Sequence, residues 1–250
     1  MKQLLDTTKL GTRTGGGNHG RVVEGIGRAI VSGDLAEGEL LPRDEVLIEQ
    51  FGVSRTVLRE AMKTLAAKGM VVAKARVGTR VRPSREWNMF DAQLLHWHMD
   101  GEPSDDFYRQ LFEMRLAFEP FAARLAAQKA TATDLERLDA CVAAMRSAKD
   151  QAGFSVSDMD FHRAIFDAAG NAFFQSVVSL VGAALLSLLR RSSPEPRPEQ
   201  LKQICDGHQL IADAIAARDP SAAQNAMIAV IDVGWSRVFG DTAGPPRPQR

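Results

Sequence analysis

Asp158 and His162 stand four residues apart, in line with Ile165 and Ala169, so on a helix their side chains converge on one inward-facing point. A carboxylate and an imidazole at that spacing can share a proton. Two further polar residues interrupt apolar stripes. Arg115 aligns with Leu111, Phe118 and Ala122, and His208 aligns with Ile204, Ile211 and Ile215. A buried carboxylate needs a partner, and an inward Arg presents a planar fork suited to clamping a carboxylate. One reading is structural, an Asp–His hydrogen bond plus an Arg salt bridge. The other is a ligand pocket whose polar wall is made by Arg115, Asp158, His162 and His208.

A second chemistry is carried by repeated cations. Arg55, Arg59 and Lys63 recur every four residues, while Val57, Leu58, Met62 and Leu65 face the other way. Residues 54–82 hold eight Lys/Arg and one acidic residue, Glu60. Such a surface attracts phosphates. The chain as a whole has 31 basic and 31 acidic side chains, but residues 1–85 hold fifteen against nine, leaving sixteen against twenty-two. A +6 first third and a −6 remainder point to one part built for a polyanion and another for something else.

The elements that position these groups follow from pattern. Val22, Val23, Ile26, Ala29 and Ile30 have helical spacing, ended by Ser32-Gly33-Asp34. Asp44 is placed to cap a short helix that stops at Gly52, and Ser54 to cap another reaching Gly69. Residues 70–82 read as a hairpin. Helix, helix, helix, hairpin is the order of a winged helix-turn-helix, expected over residues 20–83 after a Gly-rich flexible arm at 1–19. A linker is expected over 84–104. Beyond it six helical segments are expected, at 105–129, 134–149, 154–169, 172–191, 199–217 and 220–239, giving a mainly α chain. Thr133 with Glu136 has capping-box spacing, Asp219-Pro220 offers an N-cap followed by proline, and 241–250 reads as a flexible tail.

Composition narrows the classes. Cys141 and Cys205, 64 residues apart, fit neither a disulfide scaffold nor a thiolate metal site, and the N-terminal stretch has no apolar run of signal-peptide length. A reducing, cytoplasmic setting is the expectation. Residues 168–189 are uncharged and reach membrane-span length. Asn171, Gln175, Ser176, Ser179, Gly182 and Ser187 interrupt them, so a buried bundle helix is expected and no membrane partner.

The stretch GDLAEGELLPRDEVLIEQFGVSRTVLREAMKTLAAKGMV, followed by VGTRVRP, resembles the DNA-binding domain of GntR-type transcriptional regulators over about sixty residues. That resemblance implies operator contacts by Arg55 and Arg59, phosphate or base contacts by Ser54 and Thr56, and a wing around Gly78, with Arg76 and Thr79 beside it, entering the minor groove. Lys63 is assigned to phosphate. Fatty-acid-responsive members carry Arg where this chain has Glu45, so that contact is not carried over. SDMDFHRAIFDAAGN and CDGHQLIADAIAARDPSAAQNAM resemble the all-helical FCD effector domain of the FadR subfamily, over about 105–238. In metal-containing members the ligands are an Asp, a His four residues on, a His on a later helix, and a last His twenty-two residues further. The first three match Asp158, His162 and His208, whereas the fourth falls on Val230, implying a divalent ion such as zinc held weakly.

REWNMFDAQLLHWH and EMRLAFEPFAARLAA are similar to the galactonate-responsive branch, which implies a sugar-acid effector, its carboxylate clamped by Arg115 and its hydroxyls met by Asn171, Asp158, His162 and His208. The expected molecule is an effector-responsive regulator of a catabolic operon, acting as a homodimer on operator DNA and not as an enzyme. Two other readings stand beside it. Two histidines and a carboxylate also match the iron site of oxygenases, and a DNA-architectural protein would use the first third alone.

Overall fold

The computed structural model describes residues 17–101, 103–174, 176–178, 181, 182, 185 and 198–240. Chain contacts divide it into two compact units, 1–102 and 103–250. The first holds helices α1 (Asn18–Val31), α2 (Asp44–Phe51) and α3 (Arg55–Ala67), the antiparallel hairpin β1 (Val71–Lys74) and β2 (Gly78–Val81), and α4 (Ala92–Asp100). Val22, Val23, Ile26 and Ile30 of α1 are buried in one core with Leu58, Ala61 and Leu65 of α3, as their spacing requires.

The α2–α3 turn rests on two residues. Gly52 adopts a left-handed φ of 62°, which a residue without Cβ takes at no steric cost. Ser54 then caps α3, its hydroxyl accepting from the Val57 amide at 3.3 Å. Asp44 does not cap α2. Arg43 occupies that position, and Asp44 and Glu45 lie in the first turn, where their charges suit the helix dipole. In the hairpin, Val71 pairs with Val81 and Lys74 with Gly78, and Leu40 forms a bridge to Arg80.

The expected linker is largely built structure. Asp91 caps α4, accepting from the Gln93 and Leu94 amides at 3.0 Å, and its carboxylate takes Lys68 Nζ at 2.7 Å. Trp97 packs against α1 at Gly27, where a Cβ would run into the ring, and its indole N–H donates to Glu24 at 2.9 Å. These aromatics are core of the first unit, because a large apolar ring with one donor is stable only where both needs are met. Asn18 and His19 belong to α1 and not to an arm; residues 1–16 and the tail at 241–250 lie outside the described residues.

The second unit comprises α5 (Asp105–Lys129), α6 (Ala132–Ser147), α7 (Gln151–Ala168), α8 (Pro198–Ala216) and α9 (Pro220–Phe239). α5 packs on α7, α8 and α9, α9 on α8, and α6 on α7 and α8. Ala122, Ala123, Ala126 and Ala127 of α5 are buried, and their small side chains let the neighbouring helices approach. Asp219 caps α9 with Pro220 next, as expected. The capping box of α6 is formed by Thr131 and Asp134, two residues before the expected pair, because the same spacing occurs twice and the helix starts at the earlier one.

The segment expected as a helix over 172–191 opens with a 3₁₀ turn, Ala172–Phe174. Residues 176–178, 181, 182 and 185 are helical, and the rest of it lies outside the described residues. Among the described residues no helix is long and apolar enough to cross a membrane.

Candidate functional site

Three helices of the second unit bring the inward polar residues together. Arg115 comes from α5, Asp158 and His162 from α7, and His208 from α8, all buried. Beside them opens a cavity of about 460 Å³, whose wall includes Arg115, Asp158, His162 and His208. That is the size of a small-molecule site. Much of its remaining lining is apolar, with Phe154, Ile204 and Val233 among it.

The two imidazoles differ at Nδ1. His208 Nδ1 lies 2.8 Å from the Ile204 carbonyl, which can only accept, so it donates there. His162 Nδ1 lies 2.7 Å from Oε2 of Glu119 but without hydrogen-bond geometry, and has no hydrogen-bond partner among the described residues. The two Nε2 atoms face each other at 3.4 Å, and His208 Nε2 is 3.0 Å from Asp158 Oδ1. Asp158, His162 and His208 each offer a ligand atom within 4.8 Å of the others. A carboxylate oxygen and two imidazole nitrogens converging in this way are the donor set of a divalent cation, and the bond of His208 Nδ1 to Ile204 is the kind of outer contact that orients a metal-binding histidine. The residues fit such an ion.

Glu119, one turn after Arg115 on α5, completes the cluster. Its Oε1 accepts from Arg115 Nε at 2.6 Å and its Oε2 from Nη2 at 3.2 Å. Burial alone would raise the Glu119 carboxyl, but the Arg115 charge and His162 hold it at about 2. Burial acts the same way on Asp158, which the His208 hydrogen bond and the nearby cations bring to about 2. Both are therefore charged at neutral pH.

Val230 lines the cavity, so the position of the absent fourth ligand does face it. Asp232 does not substitute; it borders a separate hollow between α8 and α9. Asn171 is not brought to the cavity. Its Oδ1 accepts from the Phe173 amide at 3.1 Å, closing the turn after α7, as a short amide side chain does after a glycine in the left-handed region. Two groups went unread in the sequence. Glu119 was legible as an i, i+4 partner of Arg115, and Arg237, which also lines the cavity, stands two turns beyond Val230 on the same face.

In the first unit, Arg55, Arg59 and Lys63 form one exposed face of α3, with side chains 71%, 74% and 61% accessible. Ser54 and Thr56 are exposed at its N-terminus; Arg76 and Gly78 are exposed in the hairpin and Thr79 is partly so. Arg55 is paired with Glu45 of α2 at 3.0 Å, and Lys63 with Glu60 at 2.9 Å.

A winged helix-turn-helix with a cationic helix face, and a helical bundle enclosing a cavity with a cluster of charged and imidazole groups in its wall, define an effector-responsive DNA-binding regulator. Residues 18–81 match the gntR family of bacterial regulatory proteins, and 110–233 match the FCD domain. The chain belongs to the GntR family of transcriptional regulators, in the branch that carries an FCD domain. It is 35% identical to the HTH-type transcriptional regulator YieP of Escherichia coli K12, over 84% of this chain and 90% of that one. The galactonate operon transcriptional repressor of the same organism is 28% identical, over 84% and 92%. The HTH-type transcriptional repressor NanR of Cronobacter sakazakii is 33% identical, over 82% and 79%. Among solved structures, the Lar protein of Listeria monocytogenes shares the fold with a TM-score of 0.60 at 20% identity, over 88% of this chain and 95% of that one.

Proposed function

We propose that this regulator is a cytoplasmic homodimeric repressor whose effector is a hydroxylated carboxylate of the sugar-acid class, bound in the cavity of the second unit. The observation that carries this reading is a single cavity wall bearing Arg115, Arg237 and the Asp158–His162–His208 donor set. Arg115 engages Glu119 through Nε and Nη2. Its remaining nitrogen, Nη1, lies toward Gly234, another lining residue, and is placed to meet a carboxylate. Bound to Asp158, His162 and His208, a divalent ion would supply positive charge and open positions for carboxylate and hydroxyl oxygens. Similarity to a galactonate operon repressor supports the same effector class.

At the DNA, Arg55 and Arg59 read base edges from the start of α3, Ser54, Thr56 and Lys63 hold phosphates, and Arg76, Gly78 and Thr79 bring the hairpin to the minor groove. Calorimetry with a series of aldonic acids, D-galactonate included, tests the effector half. At least one acid should bind the wild type and lose most of its affinity in Arg115→Ala. Equal binding by Arg115→Ala and by His208→Ala would place the effector elsewhere.

A further inference from the structure

Arg55 and Glu45 meet across the helix-turn-helix. Arg55 opens α3, Glu45 lies in the first turn of α2, and Arg55 Nη2 donates to Glu45 Oε1 at 3.0 Å. Their side chains are 71% and 69% accessible, and an ion pair so exposed adds little to folding. What it can change is the surface it occupies, which is the face assigned to DNA. We infer that Glu45 is a specificity-determining residue that holds Arg55 for base edges and denies it to phosphate. The base-edge half rests on the reading of Arg55 given above; the phosphate half does not.

Charge and donor count both act in this direction. A guanidinium at an exposed helix start can bind any phosphate, and that contact carries no sequence information. With a carboxylate already on it, an approaching phosphate meets a second anion, whereas the O6 and N7 acceptors of guanine are uncharged. The neighbouring charges leave this local balance in place. Arg43 and Asp44, beside Glu45 in the chain, cancel, and Glu49, one turn on, is a further anion. Arg59 and Lys63 share Glu60, at 3.9 and 2.9 Å, and keep the rest of the α3 face cationic, so DNA is still attracted. The bond to Glu45 uses one of the five N–H donors of Arg55, so a two-pronged contact with guanine stays open. Pairing also restrains a long side chain, which lowers the cost of ordering it at a base.

Full-length protein would be titrated by fluorescence anisotropy against a duplex that the wild type selects from a random pool, against that duplex with single base-pair changes, and against an unrelated duplex, each at several salt concentrations. In Glu45→Gln the unrelated duplex should bind more tightly, with a salt dependence steeper by about one phosphate contact. Preference at the base pair read by Arg55 should fall at least about fivefold, the lower end of what a base-reading Arg supplies. In an Arg55→Ala background Glu45→Gln should do neither.

Equal tightening on every duplex would make Glu45 a plain counter-charge and overturns the proposal, as does no change at all. A further loss of base preference when Arg55 is already alanine would mean that Glu45 touches a base itself, which overturns it as well. If Arg55→Ala alone relaxes no base pair, the reading of Arg55 is what fails, and the salt dependence on the unrelated duplex still decides whether Glu45 keeps Arg55 from phosphate.

Discussion

Individual side chains on α3 should separate by what they touch. Arg55→Ala and Arg59→Ala are each expected to cost about 1–3 kcal/mol of operator affinity and to relax base preference at one position, as loss of a base-reading Arg does. Lys63→Ala should instead weaken all duplexes alike and flatten the salt dependence by about one phosphate contact. Gel-shift titrations at two salt concentrations read both effects. All three side chains are exposed, so melting temperatures should barely move. At the cavity, Val230→His adds an imidazole where the wall offers only methyl groups, and zinc should then survive chelator dialysis that strips the wild type. The neighbouring Gly207 packs close on that side, since a Cβ there would stand only 3.1 Å from the Val230 side chain.

Among the elements, α4 has a placement that a single methyl group can break. Gly27→Ala would drive a Cβ into the Trp97 ring, and overpacking of this kind costs about 1–3 kcal/mol; denaturant melts of the full chain should show the loss. The element order was legible because α1, α3 and the bundle helices each keep one apolar stripe. The inward turn of Arg115, Asp158, His162 and His208 was legible for the same reason, as polar interruptions of such stripes. α4 was not. Trp87 and Trp97 follow a proline and lie amid polar residues, and only the long-range fit of a ring onto Gly27 makes them core. Asn171 misled because a short amide next to a glycine serves backbone turns as readily as ligands. Glu119 was hidden by its own suitability, since a Glu one turn after an Arg reads equally well as a surface pair.

For the whole molecule, a single winged helix reads one half-site, so a two-fold operator asks for a two-fold protein. Light scattering on the full chain should give twice the mass of one chain; a monomer would require a different mode of DNA reading. The cavity of the second unit should govern what the first unit does at DNA. Fluorescence anisotropy on a duplex that the wild type has selected from a random pool, titrated with and without a sugar acid such as D-galactonate, tests this most directly. Arg115→Ala should bind that duplex as tightly as the wild type, while the acid loosens the wild type alone. An acid response that persists in Arg115→Ala and in His208→Ala would contradict the claim.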